Sequence, residues 1–267
     1  MKTRAITGFF FVGVMVGSLL LGKWVFAGFF ILLGLASQYE FYGLVLKGTK
    51  KQAFLPWMLY GLLISLGLSL YFLKIIEAQT VFLFLGAAVF LFIGELFKKN
   101  AIRPFETLAF GFLGVLYLVV PFMSFTGLGF LSGHYRYEVP LGFLLLLWSN
   151  DTGAYLAGRS FGKRKLFERI SPNKTWEGFI GGMLLAVGVA LNLEQYLGSM
   201  SKSEWACVAL LISIVGTLGD LVESMLKRSL DVKDSGNILP GHGGLLDRFD
   251  GLLLSAPVVF IYLTLIA

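Results

Sequence analysis

Residues 105–125 read FETLAFGFLGVLYLVVPFMSF and contain one charged side chain, that of Glu106. About 20 mostly apolar residues are long enough to cross the hydrocarbon core of a bilayer as an α-helix. The apolar residues form a continuous run, whereas the strands of a membrane β-barrel alternate apolar and polar residues. This stretch therefore predicts a transmembrane helix.

The composition of the whole chain points in the same direction. Of its 267 residues, 57% are hydrophobic and 14% are charged, and the mean hydropathy is +0.80. A soluble domain carries about 25% charged residues, and a disordered chain combines low hydrophobicity with high charge, so both classes are excluded. The single cysteine, Cys207, excludes an internal disulfide framework and a cysteine-based zinc site, and two histidines disfavour a histidine-rich metal site.

We predict an all-α polytopic membrane protein of about nine transmembrane helices, forming a single integral membrane domain over residues 1–267. The predicted spans are residues 5–21, 24–46, 54–73, 78–97, 105–125, 139–157, 175–197, 204–224 and 250–267. No clean small-residue cleavage site follows the first span, so we interpret it as a retained helix rather than a signal peptide. Residues 1–140 are expected to be mainly scaffold helices, and residues 148–251 to carry catalytic polar segments at the cytoplasmic face.

The basic residues predict an orientation. Eighteen of the 22 Lys and Arg residues lie in the amino terminus and in the even-numbered loops between the predicted spans. Because basic residues stay on the cytoplasmic side, the amino terminus is predicted to be cytoplasmic and the carboxyl terminus to lie on the opposite side. This topology accounts for the net charge of +6 without a nucleic-acid partner. No organelle-targeting segment is visible, so we expect a bacterial plasma (inner) membrane.

A first polar segment joins the sixth and seventh predicted spans. Asn150 and Asp151 are adjacent near the cytoplasmic end of the sixth span, where a carboxylate could meet a metal or a charged substrate. Lys174 and Thr175 come where the seventh helix begins, and the free N–H groups of a helix N-terminus can bind a phosphate. The alternative is a capped helix behind a loop that is basic only for topology, and the local sequence favours that alternative.

A second polar segment begins inside the eighth predicted span. Eleven of the 16 Asp and Glu residues follow residue 149. Polar residues at helical spacing line one face of this span, namely Asp220, Glu223, Ser224, Lys227 and Arg228. Two acids inside an apolar span are costly unless they hold a cation, so this face predicts a cation site.

The loop that follows and the start of the ninth span add further polar residues. They are Lys233, Asp234, a glycine-rich turn with His242, Gly243 and Gly244, and the pair Asp247 and Asp250. Glycines in such a turn let backbone N–H groups approach a phosphate closely. Carboxylates without a His or Cys cluster suit a hard cation such as Mg²⁺, and Mg²⁺ with basic residues suits transfer of a phosphorus group.

Each of these residues also has a simpler interpretation. Asp247 or Asp250 alone could be a helix N-cap. Lys227 and Arg228 could be anchors at the cytoplasmic face, and His242 could have no role. The concentration of acids and bases around one glycine-rich turn favours the functional interpretation.

Some features of the apolar helices have a structural interpretation. Glu40 and Glu95 are isolated carboxylates, and a helix end or a neighbouring helix is expected to satisfy each of them. Two pairs of glycines have the four-residue spacing that lets helix backbones approach closely, Gly13/Gly17 and Gly178/Gly182. We expect packing within one chain at both pairs, although this spacing can also support a dimer.

From Ser224 to Asp250 the sequence resembles the signature of the phosphatidate cytidylyltransferases, also called CDP-diacylglycerol synthases. The matching positions are Ser224, Lys227-Arg228, Lys233-Asp234, Pro240-Gly241-His242-Gly243-Gly244 and Asp247-Arg248-Phe249-Asp250. Two earlier segments also resemble that family, residues 150–153 and 171–178. The resemblance covers residues 148–251 well, whereas the first 140 residues match only as hydrophobic helices.

The resemblance implies that CTP and phosphatidic acid react in the bilayer to give CDP-diacylglycerol and pyrophosphate, with Mg²⁺ and with a second cation left open. It also implies a homodimer. We expect Asp220 and Asp247 to be metal ligands, with Glu223, Asp234 and Asp250 as further ligands or supports. Phosphates would be held by Lys174, Lys227, Arg228, Lys233 and Arg248. The remaining substrate contacts are expected from Asn150, Asp151 and Thr175, and the triphosphate pocket from His242, Gly243 and Gly244.

Two other functions remain open. A CTP-dependent lipid kinase acting on a polyprenol-type alcohol would need a base for its hydroxyl nucleophile and would release CDP. A transporter of an anionic solute usually shows repeat symmetry and broken helices near the membrane midplane. The polar residues here cluster at one predicted face and in one half of the chain, which disfavours the transporter.

Overall fold

The computed structural model describes residues 2–46, 54–99, 103–236 and 243–266, with side chains from Gly8 onward. The first helices are α1 (Lys2–Leu20), α2 (Lys23–Val45), α3 (Leu55–Phe72), α4 (Ala78–Gly86), α5 (Ala88–Leu96), α6 (Pro104–Gly114) and α7 (Val120–Leu128). The later helices are α8 (Glu138–Phe161), α9 (Trp176–Leu197), α10 (Lys202–Leu211), α11 (Thr217–Ser229) and α12 (Leu246–Ile266). One π-helical turn, Val115–Val119, joins α6 to α7, and another, Ile212–Gly216, joins α10 to α11.

Seven helical stretches in the described part of the chain are long and apolar enough to cross a membrane. They are Lys23–Val45, Leu55–Phe72, Ala78–Leu96, Pro104–Leu128, Trp176–Leu197, Lys202–Ser229 and Leu246–Ile266. The prediction of a helical polytopic membrane protein is therefore confirmed. The first and sixth predicted spans are also helical, as α1 and α8, but are not among the seven, so the count of nine and the orientation stay predictions. The helix predicted to end at residue 224 continues to Ser229.

A small antiparallel hairpin is the exception to the all-α prediction. Strand β1 (Lys165–Phe167) pairs with β2 (Ser171–Thr175), with Lys165 opposite Thr175 and Phe167 opposite Ser171. Its sequence is short, basic and without the apolar alternation that marks a half-buried strand. Hydropathy therefore predicts this stretch only as a loop.

Contacts along the chain define a first compact unit, Met1–His134 with Ser235–Leu246. Its core contains a buried polar chain between α2, α3 and α6. The side chain of Gln38 donates to the Tyr42 hydroxyl at 2.8 Å and to the Trp57 carbonyl at 3.1 Å, and that hydroxyl donates to the Gly111 carbonyl at 2.8 Å. Hydrogen-bonded polar groups can be buried among apolar side chains without a large penalty. These hydrogen bonds therefore fix the positions of α2, α3 and α6 relative to one another.

The second compact unit is Tyr135–Asp234 with Asp247–Ala267. Helices α8 and α9 approach closely at glycines in this unit: a Cβ on Gly178 would lie 2.9 Å from the Ala154 carbonyl oxygen, and one on Gly182 would lie 2.6 Å from that of Asn150. The predicted packing of Gly178 and Gly182 within one chain is therefore confirmed.

The other glycine pair behaves differently. A Cβ placed on Gly13 or on Gly17 of α1 would find no heavy atom of the described residues within 4 Å, beyond its own helix backbone and chain neighbours. The predicted close approach of another helix backbone at this pair is therefore not seen among the described residues, although both glycines line an apolar groove together with Val25 and Phe29 of α2. Spacing alone could not distinguish the two pairs, because it does not show which face of a helix meets a neighbour.

Candidate active site

A lysine of the second unit lies between two carboxylates. The Lys227 ammonium is 2.6 Å from Oε2 of Glu223 and 2.6 Å from Oδ1 of Asp247. Glu223 precedes Lys227 by one helical turn on α11, and Asp247 lies in the first turn of α12. The exposed fractions of these side chains are 13% for Lys227, 1% for Glu223 and 11% for Asp247. Of the predicted polar face of this helix, Glu223 and Lys227 are therefore turned inward.

A second ion pair joins the hairpin to the same helix. Lys174 of β2 pairs with Oδ2 of Asp220, and Oδ1 of Asp220 accepts a hydrogen bond from the Ser224 hydroxyl at 3.4 Å. Ser224 follows Asp220 by one turn of α11, as the helical spacing predicted. The structure thus brings the first polar segment, through Lys174, together with the second.

Two further carboxyl groups belong to this cluster. The carboxyl of Asp250 lies within electrostatic reach of Asp220, Asp151 and Glu223, and Oδ1 of Asp250 accepts the backbone N–H of Gly251 at 2.6 Å. Asp151 in turn lies within reach of Asp220 and Lys174. Neither Asp151 nor Asp250 forms an ion pair with a described residue. The cluster therefore has more carboxylates than the two lysines that pair with it.

The N-terminus of α9 is capped by its own side chain. The Thr175 hydroxyl accepts the backbone N–H of Gly178 at 3.2 Å. The carboxylate of Glu177 accepts the backbone N–H groups of Lys163 and Arg164 at 3.1–3.2 Å, which ties the base of the hairpin to α9. At Thr175 the structure matches the capped-helix alternative, whereas Lys174 takes part in the carboxylate cluster.

Most of the other predicted site residues are exposed. Arg228, Lys233 and Asp234 are exposed and form no ion pair with a described residue. Arg248 is exposed on α12. Asn150 is 3% exposed and packs where α8 meets α9. His242 lies outside the described residues.

Gly243 and Gly244 belong to the first unit, beside a residue that sequence reasoning undervalued. Glu40 of α2 accepts hydrogen bonds from Ser235, Leu245 and Leu246. The sequence indicates that Glu40 needs a partner, but its partners lie about 200 residues away along the chain. No local pattern identifies them.

The cluster in the second unit fits a hard divalent cation in charge and in chemistry. Its donors are carboxylate oxygens, which Mg²⁺ prefers, and Oε1 of Glu223 is buried and accepts no hydrogen bond from a described residue. Within the described ranges, however, no three His, Cys, Asp or Glu side chains are arranged to hold a metal ion. The two predicted ligands, Asp220 and Asp247, are engaged by Lys174 and Lys227 instead.

The structure is that of a helical membrane protein that carries a cluster of carboxylates and lysines. The model of the cytidylyltransferase family matches residues 2–266, and the chain belongs to that family. It is 36% identical over 270 residues to the phosphatidate cytidylyltransferase of Bacillus subtilis (strain 168), covering 99% of this chain and 98% of the relative.

Two further phosphatidate cytidylyltransferases match a shorter part of the chain at higher identity. The phosphatidate cytidylyltransferase of Staphylococcus aureus (strain COL) is 45% identical over 161 residues, which is 60% of each chain. That of Staphylococcus epidermidis (strain ATCC 12228 / FDA PCI 1200) is 44% identical over 147 residues, 53% of this chain and 56% of the relative. The family resemblance of the signature is therefore confirmed.

Proposed function

We propose that this protein transfers the CMP moiety of CTP to phosphatidic acid, giving CDP-diacylglycerol and pyrophosphate for phospholipid biosynthesis. The observation that carries the proposal is the convergence of signature residues in the second unit, where Lys227 joins Glu223 to Asp247. Relatives named phosphatidate cytidylyltransferase, one of them matched along its whole length, support the same activity. Neither the lipid kinase nor the transporter has comparable support.

The chemistry requires positioning and charge neutralisation more than a strong base. A phosphate oxygen of phosphatidic acid forms a bond to the α-phosphorus of CTP. The bond from that phosphorus to the bridging oxygen of the β-phosphate breaks, and pyrophosphate leaves with the electron pair. A phosphate monoester is already ionised near neutral pH, so the enzyme gains rate chiefly by aligning two anions and stabilising the charge that develops between them.

The two lysines of the cluster are suited to this task. Lys174 and Lys227 are held by carboxylates, so their ammonium groups are charged and oriented before a substrate arrives. We propose that they contact the phosphates of the substrates, with Arg228, Lys233 and Arg248 as exposed basic residues that attract them. Thr175 acts in this proposal by fixing the start of α9, and Asn150 and Asp151 by shaping the neighbouring helix end.

Mg²⁺ is the cofactor we propose, with a second cation left open. Asp220 and Asp247 would hold it, with Glu223 and Asp250 close by in the same cluster. When bound, it would neutralise phosphate charge on the nucleotide. Asp234 is a weaker proposal as a ligand, because its side chain is exposed.

The location follows from the fold and the charge distribution. The protein is an integral membrane protein, and we propose that the active site faces the cytoplasm of a bacterial plasma membrane, where CTP is present. We also propose a homodimer, since a Cβ on Gly13 or Gly17 of α1 would meet no heavy atom of another described helix within 4 Å, which leaves room for the helix of a second copy. Light scattering of the detergent-solubilised protein tests that assembly state.

The experiment that tests the function is product formation by the purified protein with CTP, phosphatidic acid and Mg²⁺. We expect pyrophosphate and CDP-diacylglycerol in equal amounts, no reaction with EDTA, and loss of turnover in Asp247→Asn. Asp231→Asn is the matched control: Asp231 is exposed and has a φ of 54°, a conformation that Asn also tolerates. Release of CDP with a polyprenol-type alcohol would favour the kinase instead. Solute binding by a folded protein that forms neither product would favour the transporter.

A further inference from the structure

A buried carboxylate in the first unit has no part in the chemistry proposed above. Glu40 lies in α2 and is only 7% exposed. It forms no ion pair with any residue in the described part of the chain. An acid inside an apolar helix is costly unless it is satisfied, and such a residue is a functional candidate by default.

Three donors satisfy this carboxylate, and all of them come from one distant segment. The Ser235 hydroxyl and the Leu246 N–H donate to Oε1, the latter at 3.1 Å, and the Leu245 N–H donates to Oε2 at 2.8 Å. Leu246 is the first residue of α12, so two of the donors are the free N–H groups that every helix start leaves without an intrahelical partner. Glu40 therefore caps α12 from another helix.

Two glycines make room for this arrangement. A Cβ on Gly236 would lie 2.9 Å from Oε2 of Glu40, and a Cβ on Gly244 would overlap the Ser235 hydroxyl and the Glu40 carboxylate. Gly243 has a φ of 83°, a conformation that side chains disfavour. The glycines of the signature thus have a structural reason in addition to the phosphate contacts expected of them.

We propose that Glu40 is a positioning residue for the transfer reaction, acting through the loop between Ser235 and Leu246. It holds the residues on both sides of 237–242, the stretch that ends with His242, and it fixes where α12 begins. Asp247 and Asp250 then take their places in the first turns of that helix. This proposal rests on the proposed function, but the anchoring that it requires can be measured without any turnover.

The test compares Glu40→Gln, Glu40→Asp and Ser235→Ala with a matched control in the same unit. Glu95→Gln is that control, because Glu95 is also a 7% exposed helical carboxylate, but among the described residues its ion-pair partner is the nearby Lys98. Hydrogen exchange of the full-length protein in detergent reports the amides of residues 243–246. Steady-state kinetics are measured first with the CTP concentration varied and then with the phosphatidic acid concentration varied. The comparison shows for which substrate kcat/KM changes. Thermal unfolding reports the overall stability.

We expect faster exchange at Leu245 and Leu246 in Glu40→Gln. Glutamine has one acceptor oxygen where glutamate has two, and its side-chain nitrogen only donates. We expect kcat/KM for CTP to fall by about tenfold to a hundredfold, the scale of an ångström-sized misplacement. The KM for phosphatidic acid and the unfolding temperature should stay close to those of the wild type. Glu40→Asp should recover part of the loss, Ser235→Ala should lose less, and Glu95→Gln should change neither exchange nor kinetics.

Three results would overturn the proposal. Unchanged exchange at residues 243–246 in Glu40→Gln would show that the carboxylate does not anchor the loop. Faster exchange with unchanged kcat/KM for CTP would show anchoring without a role in the reaction. A parallel fall in unfolding temperature and in both substrate parameters would show a merely structural role. Absence of pyrophosphate from the wild-type protein would instead contradict the proposed function, and the exchange data would still decide whether Glu40 anchors the loop.

Discussion

At the scale of single residues, Lys227 is the group on which the carboxylate cluster depends. Its ammonium lies 2.6 Å from each of two carboxylates, and all three side chains are largely buried. A buried ion pair gains little over an apolar replacement of the whole group, but removal of one partner leaves an uncompensated buried charge. We therefore expect the lysine to matter for stability as well as for the phosphate binding proposed above.

We predict that Lys227→Met lowers the free energy of unfolding by about 3–5 kcal/mol, the usual cost of breaking a buried pair, and abolishes turnover. The double variant Lys227→Met/Glu223→Gln should recover part of the stability, because it removes one of the uncompensated charges, but none of the activity. Chemical unfolding in detergent and the pyrophosphate assay measure the two effects separately.

The neighbouring Arg228 supplies the stability control for this prediction. Its side chain is exposed, so Arg228→Met should change the free energy of unfolding by no more than about 0.5 kcal/mol. A double variant as unstable as Lys227→Met would contradict the electrostatic explanation and indicate a loss of packing instead.

The sequence predicted which residues belong to the candidate site better than it predicted which residues they contact. Helical spacing correctly placed Asp220, Glu223 and Lys227 on one face, because an isolated helix determines which of its residues are neighbours. The pairing of Lys174 with Asp220 and the three donors to Glu40 depend on tertiary contacts between distant segments. Spacing along the sequence carries no information about those contacts.

At the scale of secondary-structure elements, the hairpin of β1 and β2 is a short structure held at its base. Glu177 in the first turn of α9 accepts the N–H groups of Lys163 and Arg164, and the Trp176 N–H donates to the Arg164 carbonyl. This arrangement sets the path of the strand that delivers Lys174 to Asp220.

We predict that Glu177→Gln loosens the hairpin, because the amide weakens two charge-assisted hydrogen bonds to backbone N–H groups. Trypsin cleavage within residues 163–169 should become about twofold to fivefold faster, the range expected for an exposed interaction. Timed proteolysis of the purified protein followed by mass spectrometry measures this rate.

Glu168→Gln is the matched control, since Glu168 is exposed in the turn between the strands and forms no hydrogen bond or ion pair with a described residue. Equal cleavage rates in both variants would mean that charge alone, rather than the contacts of Glu177, determines the exposure of the hairpin.

Hydropathy predicted the helices well because an apolar run of sufficient length has few alternatives in a membrane. The two π-helical turns and the hairpin were not predicted. A π-turn changes the hydrogen bonding of a helix without changing its hydropathy, and the hairpin is stabilised by Glu177 and by backbone pairing rather than by an apolar face.

At the scale of the whole molecule, the orientation in the membrane is the main prediction to be tested. It depends on the excess of Lys and Arg in alternate loops. Arg169 in the hairpin turn and Lys202 at the start of α10 are exposed residues on either side of α9, which is long and apolar enough to span a membrane. The two positions should therefore lie on opposite sides.

We predict that Lys202→Cys is labelled by a membrane-impermeant maleimide on spheroplasts, whereas Arg169→Cys is labelled only after permeabilisation. Both variants are made with Cys207→Ala, which removes the natural cysteine of the chain. Labelling of Arg169→Cys alone in intact spheroplasts would mean an inverted orientation, and labelling of both would mean that α9 does not cross the membrane. Full labelling of both in detergent is the control.

The long sequence distance between Glu40 and its partners has a consequence for biogenesis. Ser235 lies 195 residues after Glu40, so at 5–20 residues per second the ribosome needs roughly 10–40 s to supply the first donor. During that interval Glu40 in α2 has none of the three donors that it has in the folded protein, and an unsatisfied acid in a membrane helix is costly. A chain that stops before Ser235 never acquires those donors.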